Sequence, residues 1–435
     1  MDLLAAGLLA AVFLAVIVRQ LTGRGPSVWI DFALGGAGAL LLGVLPLSDL
    51  GGVLDSALPV LLFLLALFVF ARALESAGAL DHLARWLLGR AKRADDLPAL
   101  VFVGFGIASA FLLNDALVLI GVPVLLAVAR RARLPPVPLL LSLAFAVTVG
   151  SVLTPFGNPQ NLLVALASGL SDPVAAFLRY LLVPTAVNLA IGAVYLRWAF
   201  RARLRAAGET RSEGPPPRIP MFPSGGWGGR LARFPVLAIF PATMVALLGG
   251  SVVAAYLPGL AVPSWEVALG GAALVVALSR DRGPVVRRIN WSVLVLFLGL
   301  FLVVGGAVAG GVLGAIDRAV PIPGPTQPAA GLLAIVGTSF LGPQLVSNVP
   351  WVALQIPWLS GLGYGAGTPI AWVALAGAST LAGNVTLLGA ASNLIVVDLA
   401  EKQGVRIRLG EFARYALPLA AISFAVLWGC LAVGL

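Results

Sequence analysis

The sequence predicts an all-α polytopic membrane protein: two inverted repeats with about ten transmembrane helices, two re-entrant helical hairpins and broken helices at the midplane. Three observations predict it. Apolar runs of about 20 residues, the length that crosses a hydrocarbon core, recur along the whole chain of 435 residues. Polar, helix-breaking clusters interrupt several of these runs near their centres. Two of the clusters share one spaced pattern and fall in crossings of opposite direction. Composition agrees, since 11% charged residues is less than half the roughly 25% of a soluble domain, and the mean hydropathy is +1.02. The short alternating segments of a β-barrel are not found.

Starting from the outside, the crossings read about 3–18, 28–46, 53–73, 137–169, 173–199, 234–257, 264–279, 291–316, 369–399 and 411–434. The first follows "MD" without a basic n-region or a small-residue cleavage site, so it reads as a retained helix rather than a signal peptide. The amphipathic stretch 71–93 fits a helix lying along the interface. Two blocks, about 98–130 and 329–360, are too long for one straight crossing and carry polar centres, "LLNDAL" and "LVSNVP". Each is flanked on both sides by loops of one compartment. A re-entrant hairpin satisfies both facts, and irregular backbone at that depth requires a buried or wet setting. The Pro-, Gly- and Arg-rich segment 201–233 reads as a cytoplasmic linker between a first half, 1–200, and a second, 234–435.

Charge placement sets the orientation. All 28 basic residues except Arg179 and Arg318 fall in or beside loops assigned to one side, the positive-inside bias of a cytoplasmic membrane protein. The net charge of +10 is therefore no nucleic-acid signature. Arg179 lies about six residues inside a span and fits either snorkelling to the interface or a place near an anion path. Tryptophans 29, 198, 265, 291 and 358 stand near the ends of spans or hairpins, as interfacial anchors do. A single cysteine, Cys430, and a single histidine, His82, exclude disulfide frameworks and clustered thiol or imidazole metal sites. The linker is too short for an ATPase domain and the chain has no phosphate-binding loop. Energy must come from a solute or ion gradient, with no cofactor beyond a coupling proton or sodium.

The repeated pattern is T-x-x-G-x-x-x-N-L-x-V: Thr154, Gly157 and Asn161 against Thr386, Gly389 and Asn393. Matching interrupted segments in inverted halves point to a transporter's binding site near the midplane. A break frees N–H groups at the start of one half-helix and carbonyls at the end of the other. The N–H ends suit an anionic or electron-rich solute, and the carbonyls suit a cation. Gly157 and Gly389 are expected to supply unusual dihedrals. The plainer reading is that these polar residues only glue helices together. Asp115 is the one acid placed deep in an apolar block, where a carboxylate is expensive and functional by default. It could bind a coupling cation or proton, or simply cap the helix that follows it. The second hairpin tip offers Ser347 and Asn348 instead.

The stretches "NDALVLIGVPVLLAVARR", "GNPQNLLVA", "LVSNVPWVAL" and "LAGNVTLLGAASNLIVVDLAEKQG" resemble the arsenite-permease branch of the ion-transporter superfamily, which also holds sodium/proton antiporters and divalent-anion:sodium symporters. The resemblance covers nearly the whole chain. It implies a bacterial or archaeal homodimer in the lipid membrane, in which a transport domain slides against a scaffold as an elevator. It also implies hairpin-tip roles for Asn114, Asp115, Ser347 and Asn348. Broken-helix roles fall on Thr154, Gly157, Asn158 and Asn161, and on Asn384, Thr386, Gly389, Ser392 and Asn393. A sodium site would draw on Asn114, Asp115, Asn161, Asn348 and Asn393. The tips depart from the Ser-Asn-Thr of dicarboxylate members, which favours arsenite or a similar small inorganic solute.

The expected function is thus secondary transport of such a solute, with sodium/proton antiport and sodium-coupled carboxylate or sulfate symport as alternatives. Arsenite near neutral pH is uncharged and hydroxylated, and a polar cavity lacking a buried Lys or Arg would accept it. One cysteine cannot supply three thiolates, so any arsenite site must use oxygen and nitrogen donors. A channel would lack saturable counterflow. An enzyme is disfavoured, because the chain has no HExxH, no Ser–His arrangement around His82 and no cofactor motif.

Overall fold

The computed structural model describes residues 2–22, 27–79, 82, 89–91, 93–209, 234–256, 262–279 and 282–434. The reading of 201–233 as a linker lies outside these residues from 210 on, and most of the proposed interfacial helix beyond residue 79 does so too. Among the described residues, regular structure is helical throughout.

The first half opens with α1 (Leu3–Thr22), α2 (Val28–Leu41) and α3 (Leu47–Ser76). A hairpin follows: α4 (Leu97–Ser109), a turn over 110–113, and α5 (Asn114–Ala132). Next comes the interrupted crossing, α6 (Val137–Gly150) and α7 (Pro159–Ala167), and then the long α8 (Pro173–Glu209). The second half repeats the order. It has α9 (Val236–Tyr256), α10 (Ser264–Leu278), the short α11 (Arg282–Arg287), α12 (Trp291–Ala309) and α13 (Val312–Ala319). Its hairpin is α14 (Pro328–Leu341), α15 (Pro343–Val346) and α16 (Asn348–Gly361). Its interrupted crossing is α17 (Pro369–Ala382) and α18 (Ala391–Glu401), and α19 (Leu409–Val433) closes the chain.

Packing is exchanged between the halves as an inverted repeat requires. Helix α2 lies on α12, while α3 lies on α10. In each hairpin the first arm packs on the first part of its own broken crossing, α4 on α6 and α14 on α17. The second arm packs on the other half's crossing, α5 on α18 and α16 on α7. The last helices, α8 and α19, pair with each other. Lipid gives helices no hydrophobic reason to associate, so small residues must let backbones meet. At the α2–α12 crossing a Cβ on Gly36 would stand 2.9 Å from the Cα of Gly299, which fixes both as glycine. The α1–α2–α12 group has its own core around Leu9, Val12, Phe32, Leu300 and Val303.

Several expected boundaries shift. The crossing expected over 291–316 ends at Ala309, where Gly311 takes a left-handed φ of +66° and starts α13. The segment 201–209 continues α8 as helix rather than opening a linker. Its arginines make specific pairs: Arg205 with Asp95, Arg203 with Glu411 and, one turn earlier, Arg197 with Asp96. The Arg205 hydrogen bond holds the Asp95 carboxyl below its ordinary value, so this contact fails only as the pH falls through that lowered value. Trp358 is no interfacial anchor. It is buried, and its Nε1 donates to Asp317 Oδ1 at 3.1 Å.

Candidate functional site: two broken helices and two hairpin tips

Breaking α6–α7 over 151–158 and α17–α18 over 383–390 strands carbonyl groups in an apolar interior, where each needs a donor. Asparagines supply them, and in the same way in both halves. Asn161 Nδ2 donates to Ser151 O (2.9 Å) and Thr154 O (3.1 Å). Asn393 Nδ2 donates to Gly383 O (2.8 Å) and Thr386 O (3.3 Å). The hairpin tips complete each cage. With its amide oriented to satisfy both ends, Asn114 donates to Val147 O (2.9 Å) and Gly157 O (3.2 Å). Asn348, oriented likewise, donates to Ser379 O (3.2 Å) and Gly389 O (2.8 Å). The offset of 232 residues that relates Thr154 to Thr386 relates each of these acceptor pairs.

Gly157 and Gly389 are needed for a different reason from the one expected. Neither has a positive φ. A Cβ on Gly157 would stand 2.6 Å from Ser151 O and 2.7 Å from Ser109 O, and one on Gly389 3.0 Å from Ala382 O. They permit close backbone approach, not unusual dihedrals. Thr154 Oγ1 ties the first break to the hairpin turn through Ala110 O. Thr386 Oγ1 does the same through Gln344 Oε1 (3.0 Å), whose Nε2 donates to Ala382 O (2.8 Å). Asn158 is the N-cap of α7, its Oδ1 accepting from Asn161 N at 2.8 Å. Asn384 Nδ2 donates to Phe145 O at 3.3 Å.

A cavity of about 480 Å³ lies where the breaks and tips converge. Of the residues singled out in the sequence, Asn114, Asp115, Asn158, Ser347, Asn348 and Ser392 line it. Thr154, Gly157, Asn161, Asn384, Thr386, Gly389 and Asn393 do not. They stand behind the wall and hold the breaks open. Helices α5, α7, α16 and α18 all begin at the cavity, through Asn114, Pro159, Asn348 and Ala391, so four N-terminal ends carry partial positive charge towards it. Helix α5 starts at Asn114 with no side-chain cap bond, which removes the capping reading of Asp115. Ser347 has φ +73° and ψ 163°, a conformation almost reserved for glycine and stored at the second tip.

Sequence reasoning missed part of the lining. Thr148, Gln160 and Thr380 face the cavity, and Thr380 joins the halves. Its hydroxyl donates to Asn161 Oδ1 (2.9 Å) and accepts from Asn158 Nδ2 (3.2 Å) and Gln160 Nε2 (3.4 Å). Thr148 and Thr380 stand at the same offset as the recognised pattern, so extending it six residues upstream reveals them. Arg19 and Asp31, from α1 and α2, form an ion pair of 2.5 Å, and Arg19 lines the cavity. The cavity expected to lack a buried Lys or Arg thus carries a partly buried arginine on its wall. Nothing in the spacing of Arg19 and Asp31 announces the pair, because it forms across the loop between two spans. Arg179, by contrast, is exposed beside Tyr180 and does not line the cavity. Residues of α3 and α12, among them Phe68 and Phe297, close the remaining side.

Residues 5–382 match the family model described as the citrate transporter family, CitMHS. The silicon efflux transporter LSI3 of Oryza sativa subsp. japonica is 28% identical over 389 residues, covering 79% of this chain and 80% of that protein. An uncharacterized transporter of Mycobacterium bovis is 27% identical over 408 residues, 90% of each chain. The crystal structure of the Alcanivorax borkumensis YdaH transporter, described as having an unusual topology, aligns with a TM-score of 0.59 over 99% of this chain and 98% of that one. At 17% identity that likeness is one of fold. The chain belongs to the citrate transporter (CitMHS) family and is a membrane transporter.

Proposed function

We propose that this protein is a secondary active transporter of a small hydroxylated inorganic solute, arsenite or a similar metalloid acid, driven by a proton or sodium gradient. One observation carries the reading: the cavity combines helix N-termini, amide and hydroxyl groups and the Asp115 carboxylate, with Arg19 of its lining matched by Asp31. Such a surface offers hydrogen bonds to hydroxyl groups without the excess positive charge a polycarboxylate needs. Cys430, in α19, lies outside the lining, so the solute is held by oxygen and nitrogen donors. The rice relative is named as a silicon efflux transporter, and silicon, like arsenic, is a metalloid.

Asp115 is the coupling residue in this reading. Its position at a hairpin tip, on the cavity and without a described ion-pair partner, suits a carboxylate that takes up a proton or sodium ion. The hairpins and broken crossings, with α8 and α19, would move as the transport domain of an elevator against α1–α3 and α9–α13, within a homodimer whose basic loops face the cytoplasm. A second reading, sodium/proton antiport, is favoured by Asn384 Oδ1 and Asn393 Oδ1, buried acceptors with no donor among the described residues. A third, carboxylate symport, is favoured by the family's description as citrate transporters.

Uptake into proteoliposomes distinguishes them, with arsenite, sulfate, citrate and sodium each offered under imposed proton and sodium gradients. Gradient-driven, saturable arsenite uptake is expected. Citrate or sodium flux with no arsenite uptake would replace this reading with one of the other two.

A further inference from the structure

Helices α1 and α2 bring a pair of opposite charges together at the wall of the cavity. Arg19 Nη2 lies 2.5 Å from Asp31 Oδ2, and the two side chains are only 14% and 10% exposed. One contact does not satisfy a guanidinium, which has five N–H donors. Arg19 Nε and Nη1 are buried and have no acceptor among the described residues, and Asp31 Oδ2 likewise has no hydrogen-bond donor there, so the pair is held by charge proximity. Unfilled buried donors are costly, and arginine is the side chain best matched to oxyacid oxygens. Arg19 lines the same cavity as Asp115, Ser347 and Thr380, and a rotation of its side chain would carry the unfilled donors to a solute resting there. The carboxylate of Asp31 matters in a different way. Without it the wall would carry a full positive charge and would concentrate multiply charged anions.

We propose that Arg19 and Asp31 form a charge-setting subsite on the α1–α2 wall. Free donors of Arg19 bind an oxygen of an oxyacid solute, and Asp31 cancels the guanidinium charge, so that uncharged or singly charged oxyacids are taken in preference to multiply charged ones. The solute class rests on the proposed function above. The charge-setting role rests on the pair alone, because it follows from unfilled donors beside a buried counter-charge.

The test uses sulfate as a doubly charged probe, titrated against thermal unfolding of the purified full-length protein in detergent. Asp31→Asn leaves Arg19 uncompensated and is expected to reach half-maximal stabilisation at a sulfate concentration about tenfold below wild type. The double variant Arg19→Gln/Asp31→Asn is expected to lose that response. A single variant that responds no better than wild type, or a double variant that keeps the response, overturns the proposal. If Asp31→Asn does not fold, the double variant, whose pair is neutral, is compared with wild type in arsenite uptake. A raised KM with kcat retained supports contact with the solute, and an unchanged KM overturns it. The sulfate titration needs no transport. Wild-type protein that fails to carry arsenite while Asp31→Asn gains its sulfate response would therefore sink the solute assignment and support the subsite.

Discussion

In the first half the interrupted crossing is closed: Asn161 gives its amide hydrogens to two stranded carbonyls and its oxygen accepts from Thr380. In the second half Asn393 makes the same two donations, but its oxygen has no donor among the described residues. The difference lies in the threonines. Thr380 reaches across to the first half, whereas its counterpart Thr148 turns its hydroxyl back to Ala144 O at 3.2 Å. The tips differ in the same sense. Asn114 and Asn348 fill equivalent places, so Asp115 corresponds to Val349 and Ser347 to Leu113. Repetition therefore maintains the backbone breaks, and the proposed coupling chemistry falls where repetition departs. One half has the carboxylate and a satisfied cage, and the other has an empty buried acceptor and a strained tip.

That contrast can be broken at the carboxylate first. Asp115→Asn is expected to abolish gradient-driven uptake while leaving folding and oligomeric state unchanged, as read by proteoliposome flux and size-exclusion chromatography. Full coupled uptake in the variant would remove Asp115 from the mechanism.

Next come the glycines. Gly157→Ala forces a methyl group against two backbone carbonyls and should cost about 3 kcal/mol in detergent unfolding. Gly389→Ala meets a looser contact and should cost about 1 kcal/mol. Equal costs would show that the two breaks are equally tight.

The threonines sharpen the comparison further. Thr380→Val removes a hydroxyl serving three side chains and should cost about 2 kcal/mol. Thr148→Val loses a bond to its own helix and should stay within about 0.5 kcal/mol. One effect is a gain. Ser347→Gly releases the φ of +73° and should stabilise the protein by about 1 kcal/mol, measured in the same unfolding assay.

Much of this architecture is legible in the sequence because its causes are local. The hairpins follow from apolar blocks that are too long and have polar centres, and the breaks follow from Thr154-Pro155-Phe156-Gly157-Asn158-Pro159 and its distant copy. Their inverted relation follows from counting crossings. What could not be read locally is which polar groups face outward. Asn161 and Asn393 resemble ligands by type and spacing, yet their amide nitrogens are used up by backbone carbonyls. Gln160 lies inside the recognised motif, but its partners, Asn348 and Thr380, lie about 190 and 220 residues away. The Arg19–Asp31 pair escaped because its charges look like ordinary loop and helix-end charges until two helices bring them together.

The central claim is that the cavity between α1–α3, α12, the hairpin tips and the broken helices is a solute site reached alternately from both sides. Ala391 is exposed on that cavity. In a Cys430→Ser background, Ala391→Cys in oriented proteoliposomes should react with a membrane-impermeant thiol reagent added to either side, and transported solute should protect it. Reaction from only one side under every gradient, or no protection by solute, would contradict the account.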